Sequence, residues 1–404
     1  MKHEFQINAV QNKTALLVDT NFSAIPIYEY LVSLGMTVYV IGRNPDDFMA
    51  KSIQNYIQID YSDLNVLKQT ISKFNIDYVI PGCNDHSYEI CSRLVGESYL
   101  INVDDFETTS TLLNKSKFRH FALLHQLPVP QIFTLETANQ ADCSLIVKPV
   151  DAFSGKGITQ IATSDFSRIP TAIETAKSYS RNGEVIIEEF VEGQLYSHSA
   201  FLTDQKINQD FIVEEYGSAN PFVVDTSFVK TDFSIHLLQQ VRQSIEKITQ
   251  LLNLKDGLIH TQFICNGQKI WLIEITRRCP GDLYSQLIEL STGYPYAANY
   301  AMPFIGQPLK TESSNNQTKS IIRHTITQQK TGIFYNLSFQ QSLNVARYIS
   351  IATTGDLLKP SPNGRVGILF AEVNSDEQKM SLTNAFLERN VYQVNFIART
   401  ETTA

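Results

Sequence analysis

The sequence predicts an α/β start followed by an α+β body. Three observations carry this: strand and helix patterns alternate over the first hundred or so residues, the alternation stops near Leu112, and a polar stretch from Lys310 to Lys319 precedes new strand patterns. The expected units are residues 1–111, 112–308 and 309–404.

Thr14 to Asp19 is an apolar strand candidate, Ala24 to Leu34 has helical spacing, and Gly35 followed by Thr37 to Ile41 predicts a helix stop and a second strand. A Ser62 cap opens a helix with Leu64, Leu67, Ile71 and Phe74 on one face, and Asp77 to Ile80 predicts a strand ending at Pro81-Gly82. Strand, helix and strand in this order imply a parallel, Rossmann-like sheet. The glycine-rich turn of a dinucleotide site is absent, because the first strand runs into Asp19-Thr20-Asn21-Phe22-Ser23. This unit is expected to shape a substrate site instead.

Beyond Leu112 a helix, Lys117 to Leu124, leads through Pro128 and Pro130 into strands and turns. Two strand candidates lie between Gly183 and Lys206, and Ser234 is placed to cap a helix carrying Leu238, Val241, Ile245, Ile248 and Leu252 on one face. An antiparallel sheet backed by helices is the simplest layout. After Pro308, strands are expected at Ile321 to Ile326, Gly332 to Tyr335 and Val366 to Glu372, forming a small C-terminal α+β segment.

With 404 residues, 43% hydrophobic and 18% charged, the chain is long and apolar enough for several packed units. Its 33 basic and 41 acidic residues give a formal charge of −8, which opposes nucleic-acid binding and favours small-molecule partners. No apolar run is long enough to span a membrane, and Met1 to Gln11 lacks the layout of a signal peptide, so a cytoplasmic location is expected. Cys83, Cys91, Cys143, Cys265 and Cys279 have neither disulfide nor zinc spacing. A homodimer is the expected assembly.

In the run from Leu145 to Gly157, an apolar strand delivers Lys148, and then Ser154-Gly155-Lys156-Gly157 forms a small, basic loop. Glycines let backbone N–H groups approach phosphate oxygens, and a strand-borne lysine supplies fixed positive charge. A solvated hairpin turn would have the same composition. Glu184 to Val191 is an apolar strand ending in Glu188-Glu189-Phe190-Val191, whose backbone offers an edge for an adenine ring with Phe190 beside it.

A hairpin from Leu258 to Arg278 turns at Asn266-Gly267. A three-residue loop, Asn266 to Gln268, would pair His260 with Glu274 and separate the faces: Ile259, Phe263, Trp271, Ile273 and Ile275 inward, His260, Gln262, Glu274 and Thr276 on a polar side. Glu274 with neighbouring oxygen groups suits magnesium. Arg277 and Arg278 follow, either to stabilise transferring phosphoryl charge or as a surface pair. His86, His198, His260 and His324 are expected to be structural.

These parts in this order resemble the ATP-grasp superfamily, in which a Rossmann-like domain precedes a two-lobed nucleotide-binding domain and a C-terminal segment. The resemblance implies ATP and Mg2+ as cofactors, Lys115 and Lys148 as nucleotide-binding lysines, Ser154 to Gly157 as the phosphate loop, and Glu188, Phe190 and Val191 as the adenine hinge. Glu274-Ile275-Thr276-Arg277-Arg278 is similar to the family's Glu-x-Asn-x-Arg signature, which implies metal binding by Glu274 and catalysis by Arg278, with Arg277 its neighbour. The chain departs from the pattern at Gln262, where a second metal carboxylate is usual, at Thr276 instead of asparagine, and at Leu195, near a usual ribose-binding acid. Gln262 keeps a carbonyl oxygen and Thr276 a hydroxyl, and Gln262→Glu is expected to be tolerated. The implied activity is an ATP-dependent carboxylate–amine ligase working through an acyl phosphate, with a small carboxylate and an amine as substrates. A biotin-carboxylase-like carboxylase and a non-catalytic nucleotide-binding regulator are the alternatives.

Overall fold

The computed structural model describes residues 10–152, 155–310, 318–361 and 363–397. The first unit is a parallel sheet of Thr14–Val18 (β1), Thr37–Gly42 (β2), Tyr56–Gln58 (β3) and Tyr78–Pro81 (β4) in the order β3-β2-β1-β4. β3 has only three residues, too few for a periodic signal. The helix Leu64–Lys73 is capped by Asp63, whose carboxylate accepts the Asn65 and Val66 N–H groups. Ser62, the cap expected from sequence, instead bonds His86 Nε2 at 2.7 Å.

A small antiparallel sheet follows, made of Ile132–Phe133 (β5), Leu145–Pro149 (β6), Thr159–Ile161 (β7) and Val185–Glu189 (β8) in the order β5-β8-β6-β7. Its apolar face packs Leu145, Val147, Ile161 and Ile187 against Ile169, Ala172 and Ala176 of the helix Ile169–Tyr179.

The large sheet uses Gln194–Thr203 (β9), Lys206–Tyr216 (β10), Thr226–Val229 (β11), Gly257–Cys265 (β12) and Ile270–Thr276 (β13). The C-terminal segment adds Ser320–Thr327 (β14), Gly332–Phe339 (β15), Val345–Ser350 (β16), Leu357–Leu358 (β17), Arg365–Val373 (β18) and Tyr392–Phe396 (β19). The order β13-β12-β9-β10-β11-β14-β18-β16 carries one sheet across the polar 310–319 stretch, while β17-β15-β19 form a separate sheet beside it. One core face of the large sheet is covered by the helix Ile235–Leu251 through Leu237, Val241, Ile245 and Ile248. Ser234 stands at its N-cap position without a side-chain capping bond, and Leu238 is only partly buried.

A continuous core joins the parallel sheet to the large one. Leu16, Ile80 and Tyr88 share it with Phe201, Leu258 and Phe370, and Leu287, Tyr296 and Tyr300 from the helices Tyr284–Thr292 and Tyr296–Ala301 fill the space between. Tyr300 donates to the Pro81 carbonyl at 3.0 Å, which fixes the carboxyl end of β4 against the helix Tyr296–Ala301. Among the described residues no helix is long and apolar enough to cross a membrane.

Candidate active site

The β12–β13 hairpin sets the site's polar face, but in a different register from the one expected. Cys265 pairs with Ile270, leaving a four-residue loop in which the Asn266 carboxamide oxygen accepts both the Gln268 and Lys269 N–H groups. A bulge then inserts Ile273, so that Phe263 opposes Leu272 while Gln262 opposes Glu274 and His260 opposes Thr276. The corrected inward set is Ile259, Phe263, Ile270, Leu272 and Ile275; Trp271 and Ile273 lie outside this core. His260, Gln262, Glu274 and Thr276 still gather on one face, because the bulge restores the alternation that the longer loop upsets. Ser197 and Ser199 of β9 lie opposite Gln262 and His260 on that face, and Glu215 of β10 joins them.

Lys115, the first residue of the helix Lys115–Leu124, reaches Glu274 Oε1 at 2.8 Å and the Ala152 carbonyl at 3.1 Å. Burial works against ionisation of Glu274, but Lys115 outweighs it and holds the carboxyl below its usual range. Thr276 Oγ1 donates to Asp85 Oδ1 at 3.0 Å, and Arg278 grips the same carboxylate through Nε at 2.8 Å and Nη2 at 3.3 Å. Gln262 Nε2 donates to Glu215 Oε2 at 2.7 Å.

Lys148, on β6, pairs with Glu188 Oε2, whose other oxygen meets Arg119 Nε at 2.6 Å. Burial pulls the Lys148 ammonium below its ordinary range despite the Glu188 charge, so this lysine gains from any further anion placed beside it. Glu188 lies in a strand paired on both edges, with Ile132 on one side and Ile146 on the other. Its backbone therefore presents no open edge to a ring, and its side chain acts as a buried counter-ion. Phe190 N–H is likewise spent on the Ser144 carbonyl at 2.8 Å, and the chain leaves the sheet at Val191.

The glycines of the basic loop both have positive φ, 66° at Gly155 and 71° at Gly157, with Lys156 between them. A Cβ at Gly155 would lie 3.0 Å from Phe222 Cβ, and one at Gly157 2.9 Å from Tyr179 Cβ, so the loop packs between the small sheet's helix and the segment following β10. Ser154 lies outside the described residues.

Arg277 points away from the polar face. It is buried, with Nε on Asp104 Oδ2 at 2.7 Å and Nη2 on the Lys255 carbonyl at 2.5 Å, and thus locks the hairpin to the first unit. His260 bonds Ser199 Oγ at 2.9 Å, and burial, aided by Arg278, pulls its pKa to about 3. It is neutral at ordinary pH.

Sequence reasoning missed Asp85, Arg119 and Glu215. Asp85 follows Pro81-Gly82 at the carboxyl end of a parallel strand, where ligands collect. Arg119 interrupts the apolar face of a helix between Phe118 and Ala122, and Glu215 lies in the buried end of its strand after Ile212 and Val213. These two are charges in an apolar setting, which is a legible signal.

The donors on the polar face are hard oxygens: the Glu274 carboxylate, the Gln262 carbonyl and the Thr276 hydroxyl. They fit magnesium, and Lys115 already shows that Glu274 takes a cation. Among the described residues no cluster of three or more His, Cys, Asp or Glu side chains is arranged to hold a metal, in keeping with an amide at position 262.

Residues 141–286, which carry Lys148 on the small sheet and Glu274 on the large one, match the family model described as the ATP-grasp domain. Over 258 residues, 61% of the chain, the sequence is 26% identical to formate-dependent phosphoribosylglycinamide formyltransferase of Prochlorococcus marinus (strain MIT 9301), and the matched stretch spans 64% of that relative. Among solved structures, phosphoribosylglycinamide synthetase from Anaerococcus prevotii superposes with a TM-score of 0.75 at 16% identity, covering 96% of this chain and 100% of that one. L-amino acid ligase from Bacillus licheniformis superposes with a TM-score of 0.76 at 17% identity, again covering 96% and 100%.

Proposed function

We propose that this chain is an ATP-dependent carboxylate–amine ligase. A substrate carboxylate attacks the γ-phosphate of ATP to give an acyl phosphate and ADP, and an amine then displaces phosphate to form an amide. The observation that carries this reading is the Lys115–Glu274 ion pair, close enough to Lys148 for Glu274 to feel both ammonium charges. A lysine paired with a carboxylate can exchange that partner for phosphate oxygens.

In this reading Lys115 and Lys148 hold the phosphates and the Gly155–Gly157 loop closes over them. Val191, at the strand end, borders the adenine. Glu274 holds magnesium, with the Gln262 carbonyl and Thr276 hydroxyl beside it. Bound there, magnesium would neutralise phosphate charge during transfer. Arg278, kept in place by Asp85, faces the charge that builds on the acyl phosphate and on the tetrahedral adduct. No protein nucleophile is required, since positioning and electrostatics suffice for phosphoryl transfer.

The test is to incubate the protein with ATP, magnesium and pools of carboxylates and amines, and to follow nucleotide products and new masses. ADP with a dehydrated condensation product is expected, and Lys148→Ala should lower turnover by at least about 100-fold, the size of effect seen when one charge-stabilising group is lost. AMP as the product would sink the acyl-phosphate route. ATP binding without turnover in every pool would favour the regulator.

A further inference from the structure

The ligand crevice of an open α/β sheet lies outside the carboxyl ends of the strands, where the strand order reverses, and it usually holds phosphate on backbone N–H groups. Here that place is between β1 and β4. Its donors are already taken. Asp19 Oδ1 accepts the Asn21 N–H at 2.9 Å and Oδ2 accepts the Cys83 N–H at 2.7 Å, with the Asn84 side chain also bonded to it. Gly82 N–H goes to Ser87 Oγ at 2.8 Å, Ser23 N–H to Asn21 Oδ1 at 3.1 Å and Ser87 N–H to Asn84 Oδ1 at 2.8 Å. The Asp19 carboxylate thus sits in the anion position itself, 4% exposed, against a glycine whose Cβ would fall 2.1 Å from its own.

Two partly exposed ion pairs border this plugged crevice. Arg278 and Asp85 are joined at 2.8 Å, and Arg365 and Asp282 at 3.5 Å, with Arg365 over the Phe22 ring. Gly281, between these arginine and aspartate residues, lies against the Cys83 carbonyl. Each pair offers an ammonium a carboxylate and a carboxylate a guanidinium. At the second pair Asp282 also meets the buried Arg323 Nη2 at 3.7 Å, so two guanidiniums share one carboxylate there and can take a substrate carboxylate, while Asp85 at the first pair can take an ammonium.

We propose that the substrate meeting the first unit is a zwitterionic, amino-acid-like molecule without a phosphate, and that Asp19 is the residue excluding phosphoribosyl substrates. This rests on the ligase reading and names its substrate class.

Thermal-shift titrations of the full chain with magnesium and a non-hydrolysable ATP analogue, which keeps added phosphates out of the nucleotide site, test it. At least one of the common L-amino acids should raise the melting temperature saturably. Ribose 5-phosphate and phosphoribosylglycinamide should do no more than salt of equal ionic strength. Asp19→Ala, which frees two N–H groups, should acquire a response to ribose 5-phosphate; where it does not fold, the titrations of the unmodified chain decide. A saturable response of the unmodified chain to either phosphorylated probe, or silence towards every amino acid, overturns the proposal. A separate titration with the analogue alone distinguishes failure of the ligase reading: stabilisation lost in Lys148→Ala supports nucleotide binding whatever the amino acids do.

Discussion

The Gln262 amide is held by a carboxylate that the sequence did not bring to notice. Glu215 accepts Gln262 Nε2 at 2.7 Å on one oxygen and the Tyr284 hydroxyl at 2.5 Å on the other. An ionised carboxylate only accepts, so the amide turns its nitrogen to Glu215 and keeps its carbonyl for the cleft. Gln262→Glu would set a second carboxylate within hydrogen-bonding distance of the buried Glu215, and like charges that close do not both ionise. The tolerance expected from sequence therefore reverses. Gln262→Glu should cost about 1–3 kcal/mol in urea denaturation and should not tighten magnesium binding. Adding Glu215→Gln exchanges acceptor and donor, and should recover most of that loss. A single variant as stable as the parent would sink the coupling.

At the scale of elements, the β12–β13 hairpin does its work through one extra residue. The bulge at Ile273 turns its carbonyl to Arg119 Nη2 at 2.9 Å, and this same arginine balances Glu188. One helix, Lys115–Leu124, thus presents Lys115 to Glu274 and Arg119 to the bulge, four residues apart on one face. Deleting Ile273 places Glu274 next to Leu272 and keeps each on its own face, but it removes the carbonyl to which Arg119 Nη2 donates. The expected result is a drop in stability of about 1–3 kcal/mol, the cost of leaving a buried donor unsatisfied. An unchanged melting curve would refute it. The polar face itself was legible in the sequence, because His260, Gln262, Glu274 and Thr276 alternate with buried apolar residues. The loop length and the bulge were not, since Asn266 capping and the Arg119 bond depend on atoms that become neighbours only in the fold. Likewise Arg277 and Arg278 are adjacent in sequence and look equivalent, yet strand alternation sends one to Asp104 and the other to Asp85. The counter-ion role of Glu188 was illegible for a similar reason: both its partners arrive from other strands and helices.

Over the whole molecule, the C-terminal segment completes the large sheet, with β14 paired to β11 on one side and β18 on the other. His324 sits at this seam. It meets Thr226 Oγ1 of β11 at 2.8 Å, the Tyr392 hydroxyl of β19 at 3.1 Å, and the Phe386 ring at 4.4 Å between centroids. Burial pulls its pKa to about 3; Asp225 opposes this, while Arg323 and Arg389 assist. An unfolded chain takes up that proton near pH 6.5 and the native seam refuses it, so stability falls as pH drops through this window. The slope for one proton is about 1.4 kcal/mol per pH unit. Carboxylates held low, such as Asp85 and Glu274, withdraw their contribution only at more acid pH, whereas buried Asp19 and Glu215, pushed up by burial, act in the opposite sense. Comparing a variant with its parent cancels these common terms. His324→Gln keeps hydrogen-bonding groups but does not titrate. Between pH 6.5 and 5 it should therefore lose about 2 kcal/mol less than the parent in urea denaturation. Parallel curves for the two proteins across that interval would show that the seam is not what acid opens.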